Sequence, residues 1–287
     1  MLVNVSGEYP PMTALEMPRS RVADVVRVVI DAADAVGRPA LIGLENVPAR
    51  GPFMLVGNHQ LLGMQDLPTL VRELERRCGV RVRGLADRFH FSVPLWRDLL
   101  LGMGAVLGTR ENCAALLAAG EAVLVLPGGA REVYKRRGQQ YQLLWGNRAG
   151  FARMAIEAGC PIVPFAAVGA EDRFHVVLDM DSRVARPARE LVRRIAHRDD
   201  VGTLLVRGSG PMGLPGTGRL YFSFGAPIPT TRWAGRADDP EALRECRDAV
   251  KSAVERGIAE LLVLREHDPG RRLLRRAVAA ARVRLPA

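Results

Sequence analysis

Residues 53 to 68 read FMLVGNHQLLGMQDLP, and the class of fold turns on how this stretch is taken. Phe53 to Val56 is an unbroken apolar run of strand length, the pattern of a strand buried on both faces. It ends in Gly57, Asn58 and His59, and Asp66 follows seven positions after the histidine. A lone neutral imidazole at the carboxyl end of a core strand can take a proton from a hydroxyl. A carboxylate on its other ring nitrogen would fix the tautomer and stabilise the imidazolium. The same residues also allow a structural reading, in which His59 bonds locally and Asp66 caps the helix that Pro68 opens.

Working outward, strand and helix patterns alternate. ALIGLE (from Ala40), VRVRGL (from Val80), AVLVLPGG (from Ala122), PIVPFAAVG (from Pro161) and RLYFSFGAPI (from Arg219) read as strands. Residues 67 to 77, 111 to 119 and 148 to 158 read as helices, and residues 240 to 266 as a long amphipathic one. Before them, Val22, Val25, Val26, Val29, Ala33 and Val36 fall at i, i+3, i+4, i+7, i+11 and i+14. That spacing predicts a helix with an apolar face packed on the core, stopped by Gly37 and Pro39. The expectation is a single α/β domain with a mixed, mostly parallel sheet flanked by helices. Residues 183 to 198 read as an Arg-rich helical insertion, and GSGPMGLPGTG (208 to 218) as a loop.

Composition bounds the chemistry. The 287 residues are 48% hydrophobic and 25% charged, with a net charge of +10 carried almost wholly by arginine. This balance favours an anionic partner such as a membrane surface or a phosphate-bearing substrate. Aromatics are only 5% and do not interleave with the basic residues, which argues against stacking on nucleic acid. The four cysteines form no C-x-x-C and no zinc spacing, so they read as reduced core thiols of a cytoplasmic protein, with no metal site. The start lacks a signal-peptide pattern. No stretch reaches the roughly 18 apolar residues of a membrane span, so membrane contact is expected to be peripheral. There is no G-x-S-x-G, no Walker A loop and no H-E-x-x-H, and GMGAVLG spaces its glycines wrongly for a dinucleotide loop.

Three further blocks accompany the one around His59. GAVLGTREN carries Gly104 and, after five intervening residues, Arg110. LPGGARE runs from a strand into Pro127, Gly128 and Gly129, then Arg131 and Glu132. CPIVPFAAVG places Val163 and Pro164 in a strand. In this order and spacing the four resemble the blocks of the lysophospholipid and glycerolipid acyltransferase superfamily: N-H-x4-D, G-x5-R, F-P-E-G-T-R and a V-P strand. VGNHQLLG, PGGAREV, LLWGNRAGFARMAIEAGCPIVPFAAVGAED and YFSFGAPI look like the branch of diacylglycerol O-acyltransferases and phytyl ester synthases, a similarity running from Leu41 to Pro269. The resemblance divides the chain into an arm and amphipathic helix (1–39), an acyltransferase domain (40–269) and a basic amphipathic tail (270–287).

The resemblance implies transfer of a fatty acyl group from acyl-CoA or acyl carrier protein to a lipid alcohol, such as diacylglycerol or a long-chain alcohol. The acyl thioester is a co-substrate, and no cofactor is implied. It assigns His59 as general base and Asp66 as its partner, Gly128 and Gly129 as oxyanion donors, and Asn58, Gly104, Arg110, Pro127, Arg131, Glu132 and Pro164 as substrate contacts. The expected place of work is the inner face of the cell membrane, reached through the basic tail and the insertion. Two departures stand out. Six residues separate His59 from Asp66 where the family has four, and seven positions of straight helix span about 10.5 Å, so pairing requires residues 60 to 65 to leave the helix. Gly128 stands where the family has its Glu, which leans against a phosphorylated acceptor. The alternatives are a lysophospholipid acyltransferase, a non-catalytic lipid-binding module of the same fold, and a thioesterase using water.

Overall fold

The computed structural model describes residues 21–61, 65–91, 94–179, 182–185, 187, 190, 203–209 and 217–271. Seven strands form one sheet: β1 (Ala40–Ile42), β2 (Phe53–Gly57), β3 (Val82–Ala86), β4 (Val106–Leu107), β5 (Ala122–Val125), β6 (Ile162–Val168) and β9 (Tyr221–Phe224), in the order β1-β9-β6-β2-β5-β3-β4. All pairs are parallel except β6 with β9. The expected mixed, mostly parallel sheet of an α/β domain is therefore present. A separate antiparallel pair, β7 (Phe174–Asp179) with β8 (Thr203–Gly208), was not foreseen from sequence.

The apolar runs at the centre work as double-sided strands. In β2, Phe53 and Leu55 face one layer with Leu70 and Leu74 of α2 (Asp66–Cys78). Met54 and Val56 face the other, with α5 (Arg110–Ala118), α7 (Gly150–Ala158) and α8 (Pro240–His267). Five consecutive residues of β2 are buried, which only a central strand covered on both sides requires. Gly57 closes the strand because nothing larger fits: a Cβ there would lie 2.4 Å from the Phe165 ring and from the Phe165 carbonyl oxygen. Helix starts follow their caps. Thr109 accepts from the Asn112 N–H at the head of α5, and Asp239 accepts from the Glu241 N–H ahead of Pro240 in α8.

The first helix, α1 (Arg21–Gly37), corrects the sequence reading. Its valine face does not pack on the core: Val25, Val28, Val29 and Val36 are 58–68% exposed. The polar side docks instead. Buried Asp34 accepts from the Thr69 hydroxyl at 2.8 Å, and the Arg72 guanidinium holds the two Asp31 oxygens at 2.7 and 2.8 Å. Bonds to α2 set the helix's rotation, and the valines take what is left. Periodicity alone identified the apolar stripe but not which side had a partner.

Among the described residues no helix is long and apolar enough to cross a membrane, and no group of His, Cys, Asp or Glu could hold a metal ion. The four cysteines are free, three of them buried. Most of the Arg-rich insertion, the centre of the glycine loop and the basic tail beyond Arg271 lie outside the described residues.

Candidate active site

Three adjacent parallel strands, β6, β2 and β5, end at one rim of the sheet, where α/β folds place their ligands. The chain leaving β2 carries Asn58, His59 and Gln60. The turn leaving β5 carries Pro127, Gly128 and Gly129, and runs into the short helix α6 (Ala130–Val133). The chain leaving β6 carries Ala170 and Glu171.

The two neighbours of His59 are fastened into β6. Asn58 is fully buried; its amide nitrogen donates to the Ala167 carbonyl at 2.9 Å, and its amide oxygen accepts from the Ala167 N–H at 2.8 Å. It extends the β2–β6 ladder by one side chain, in place of the expected contact with substrate. Gln60, also buried, accepts from the Ala170 N–H at 2.8 Å. His59 is thus held between two anchors. Its N–H donates to Glu132 Oε2 at 2.6 Å.

The imidazole is half-buried, and its Nδ1 is a buried atom with no hydrogen-bond partner. Loss of solvent, reinforced by the positive field of Lys135 and by His90, pushes the His59 pKa down to about 3. The ring is therefore neutral at physiological pH and able to accept a proton.

Asp66 does not pair with it. The carboxylate is buried at the first turn of α2, where Oδ2 accepts from the Gln60 amide at 3.2 Å and Oδ1 has no hydrogen-bond partner. Burial pushes Asp66 up to about 6, with the Gln60 bond working against the shift. Helix α2 begins only at Asp66, so Gln60 and Leu61 lie ahead of it. Gln60 takes the carboxylate, and no His59–Asp66 hydrogen bond exists among the described residues. Asp66→Asn should accordingly leave turnover within about threefold of the parent, since the Asn side-chain oxygen can still accept from Gln60. A hundredfold loss of ester formation with unchanged melting would restore Asp66 to the proton relay.

Around the glycine turn the donors are rearranged. The Gly129 N–H donates to the Leu126 carbonyl at 3.0 Å, which closes the turn and removes that N–H from the oxyanion set. The Gly128 N–H has no partner among the described residues. Arg148, which sequence reading did not single out although it lies in the quoted LLWGNRAG, donates Nη1 to the carbonyls of Pro127 (3.0 Å) and Gly128 (2.6 Å). Arg131 is exposed at the same turn, its guanidinium against Gly146. Glu132 is fully buried with both oxygens engaged by backbone, Oε2 by His59 and Oε1 by the Leu144 N–H at 2.7 Å, so it offers substrate nothing.

The remaining predicted contacts scatter. Gly104 is a buried left-handed turn (φ 87°) whose carbonyl accepts from Arg83 Nε at 2.8 Å. Arg110 is exposed at the head of α5, beyond β4 on the same rim. Three strand spacings separate β4 from β2, roughly 14 Å at about 4.8 Å each. Pro164 sits opposite Val56, inside the sheet, and lines a cavity with Ser223, Gly225 and Gly257 that does not include His59. The buried ion pair behind the histidine, Lys135 Nζ to Glu171 Oε1 at 2.6 Å, was also missed. Its only signal was a lysine three residues after Glu132, which a sequence cannot tell from a surface lysine.

Comparison with known proteins adds the following. Residues 38–168 match the family model described as Acyltransferase. The chain is 34% identical over 258 residues to phytyl ester synthase 2, chloroplastic, of Arabidopsis thaliana, covering 83% of this chain and 36% of that protein. It is 33% identical over 132 residues to the DGAT1/2-independent enzyme synthesizing storage lipids of Bos taurus, covering 46% of this chain and 39% of that one. The chain thus spans little more than a third of the length of these relatives. Among solved structures, the 1-acyl-sn-glycerophosphate (LPA) acyltransferase PlsC of Thermotoga maritima aligns with a TM-score of 0.49 at 16% identity, over 87% of this chain and 85% of that one.

Proposed function

Since this chain belongs to the glycerolipid acyltransferase superfamily, we propose that it transfers a fatty acyl group from a thioester, acyl-CoA or acyl carrier protein, to an uncharged lipid alcohol. One observation carries the reading: a neutral, strand-end imidazole anchored on both sides, beside a glycine turn flanked by two arginines. His59 removes the proton from the acceptor hydroxyl as its oxygen attacks the thioester carbonyl. The tetrahedral oxyanion takes the Gly128 N–H. Collapse expels the thiolate, which recovers the proton from the imidazolium, and the ester leaves. The base is regenerated and no covalent enzyme intermediate forms. Arg131 and the more distant Arg110 suit the phosphates of a long donor such as coenzyme A.

Two features support lipid substrates. An apolar pocket of about 480 Å³ lies between α1, α2 and α4 (Pro94–Gly102), walled by Val29, Ile30, Leu99, Leu100 and Met103; His59 is not among its lining residues. The outward valines of α1 beside it suit a peripheral approach to a bilayer, which we place at the cytoplasmic face. The names of the relatives, an ester synthase and a storage-lipid enzyme, support an uncharged acceptor. A non-catalytic lipid-binding module is the second reading. The bare Nδ1 of His59 favours it, because nothing orients the ring from that side.

Acceptor choice is tested by competition. With equimolar diacylglycerol and lysophosphatidic acid, the uncharged alcohol should supply most of the product. Phosphatidic acid as the dominant product would overturn the assignment of acceptor.

A further inference from the structure

Glu132 carries more than a contact to its neighbours in sequence. Its two oxygens accept N–H groups from residues 73 positions before it and 12 after it, His59 at 2.6 Å and Leu144 at 2.7 Å. The first belongs to the loop that bears the base. The second belongs to the segment leading to Arg148, which itself grips the carbonyls of the glycine turn. A single buried carboxylate therefore ties together the three segments that surround the site.

The position of that carboxylate is equally informative. A Cβ placed on Gly128 would lie 2.1 Å from Glu132 Cδ, 2.3 Å from Cγ and 2.4 Å from Oε2. The Glu132 side chain thus folds back from the first turn of α6 and fills the volume into which a side chain at residue 128 would project. Gly128 does not have the positive φ that would explain its glycine by backbone strain. The neighbouring acid explains it.

We propose that Glu132 is a positioning residue whose carboxylate fills the space a side chain at residue 128 would take, and that it fixes the His59 backbone for proton transfer rather than binding substrate. The chemistry agrees. Burial pushes Glu132 up to about 7, while Lys135 and the two N–H donors pull the other way, so the group lies near the balance where either form is accessible. The inference rests on the acyltransferase reading for its kinetics, but its geometry can be tested without activity.

The test compares Glu132→Ala, Glu132→Gln and the relocated pair Gly128→Asp with Glu132→Ala. In Glu132→Ala, kcat should fall at least tenfold with KM for both substrates within threefold of the parent. Glu132→Gln keeps one acceptor oxygen and should fall less. The relocated pair should regain at least fivefold in kcat over Glu132→Ala. Independently of turnover, the amide-proton NMR resonances of His59 and Leu144 should lie downfield in the parent and move upfield in Glu132→Ala. The His59 resonance alone should return in the relocated pair. Unchanged kcat with lowered melting, a rise in KM alone, or amide resonances indifferent to Glu132 would each overturn the proposal. Should Glu132→Ala not fold, Glu132→Gln against the parent carries the test: kcat lowered with KM within threefold and the His59 amide resonance shifted upfield supports the proposal, and an unchanged kcat or unmoved resonance overturns it. A parent without ester formation would sink the acyltransferase reading, while the amide resonances would still decide this one.

Discussion

His59→Ala should reduce ester formation by at least about 10², the scale on which a positioned general base acts. The fold should survive, because the ring is only half-buried and the anchors that hold its loop belong to Asn58 and Gln60. The expectation follows from two facts taken together: the strand-end position of the ring, and a pKa pushed down to about 3 that keeps it neutral. Intact circular dichroism with turnover within a few-fold of the parent would mean that another group takes the proton, or that the chemistry needs none. Activity lost together with the fold would be uninformative, and His59→Gln, which retains bulk and polarity, is the control for it.

The second large effect is on stability. Lys135 and Glu171 are a buried pair, with 2% and 0% of their side chains exposed, and Glu171 also accepts the Tyr141 N–H at 2.6 Å. Removing one partner strands the other charge in a low-dielectric interior, at a cost of about 3–5 kcal/mol. Lys135→Ala should lower the free energy of urea unfolding by that amount, and Lys135→Met with Glu171→Gln should recover part of it by removing the orphaned charge. Less than about 1 kcal/mol for the single substitution would show that water reaches the pair. Lys135 also helps to hold the His59 ring neutral.

Much of the scaffold was legible beforehand, for a reason visible in β2. Strands buried on both sides read as continuous apolar runs, and FMLV, AVLV and IVPFAAV are such runs. The long helix α8 announced itself through its amphipathic period. What failed was whatever depends on a partner far along the chain. The valine stripe of α1 was found, but Thr69 and Arg72, which turn that stripe outward, lie more than 30 residues away. The two-residue β4 and four-residue α6 are too short to carry a period.

The site divides the same way. The places of His59, the glycine turn and Arg131 in the fold were readable because their blocks follow strands; the roles given to them rest on the resemblance. Asp66 and Asn58 were placed correctly on the chain and given the wrong partners: Gln60 and Ala167 receive the groups that His59 and the substrate were expected to receive. Glu132 was expected to contact substrate, and only its burial, with both oxygens on backbone N–H groups, revealed an anchor. Arg148 and Lys135 carried no local signal that separates a structural cation from the many exposed arginines of this chain.

The central claim is that this site joins an acyl group to an alcohol. The most direct measurement supplies the protein with a labelled acyl thioester, with and without a long-chain lipid alcohol in vesicles, and resolves ester from free fatty acid. The account predicts ester that depends on the alcohol and is lost in His59→Ala, with little free acid in either condition. Free fatty acid released at the same rate whether or not alcohol is present would contradict it and make the protein a thioesterase.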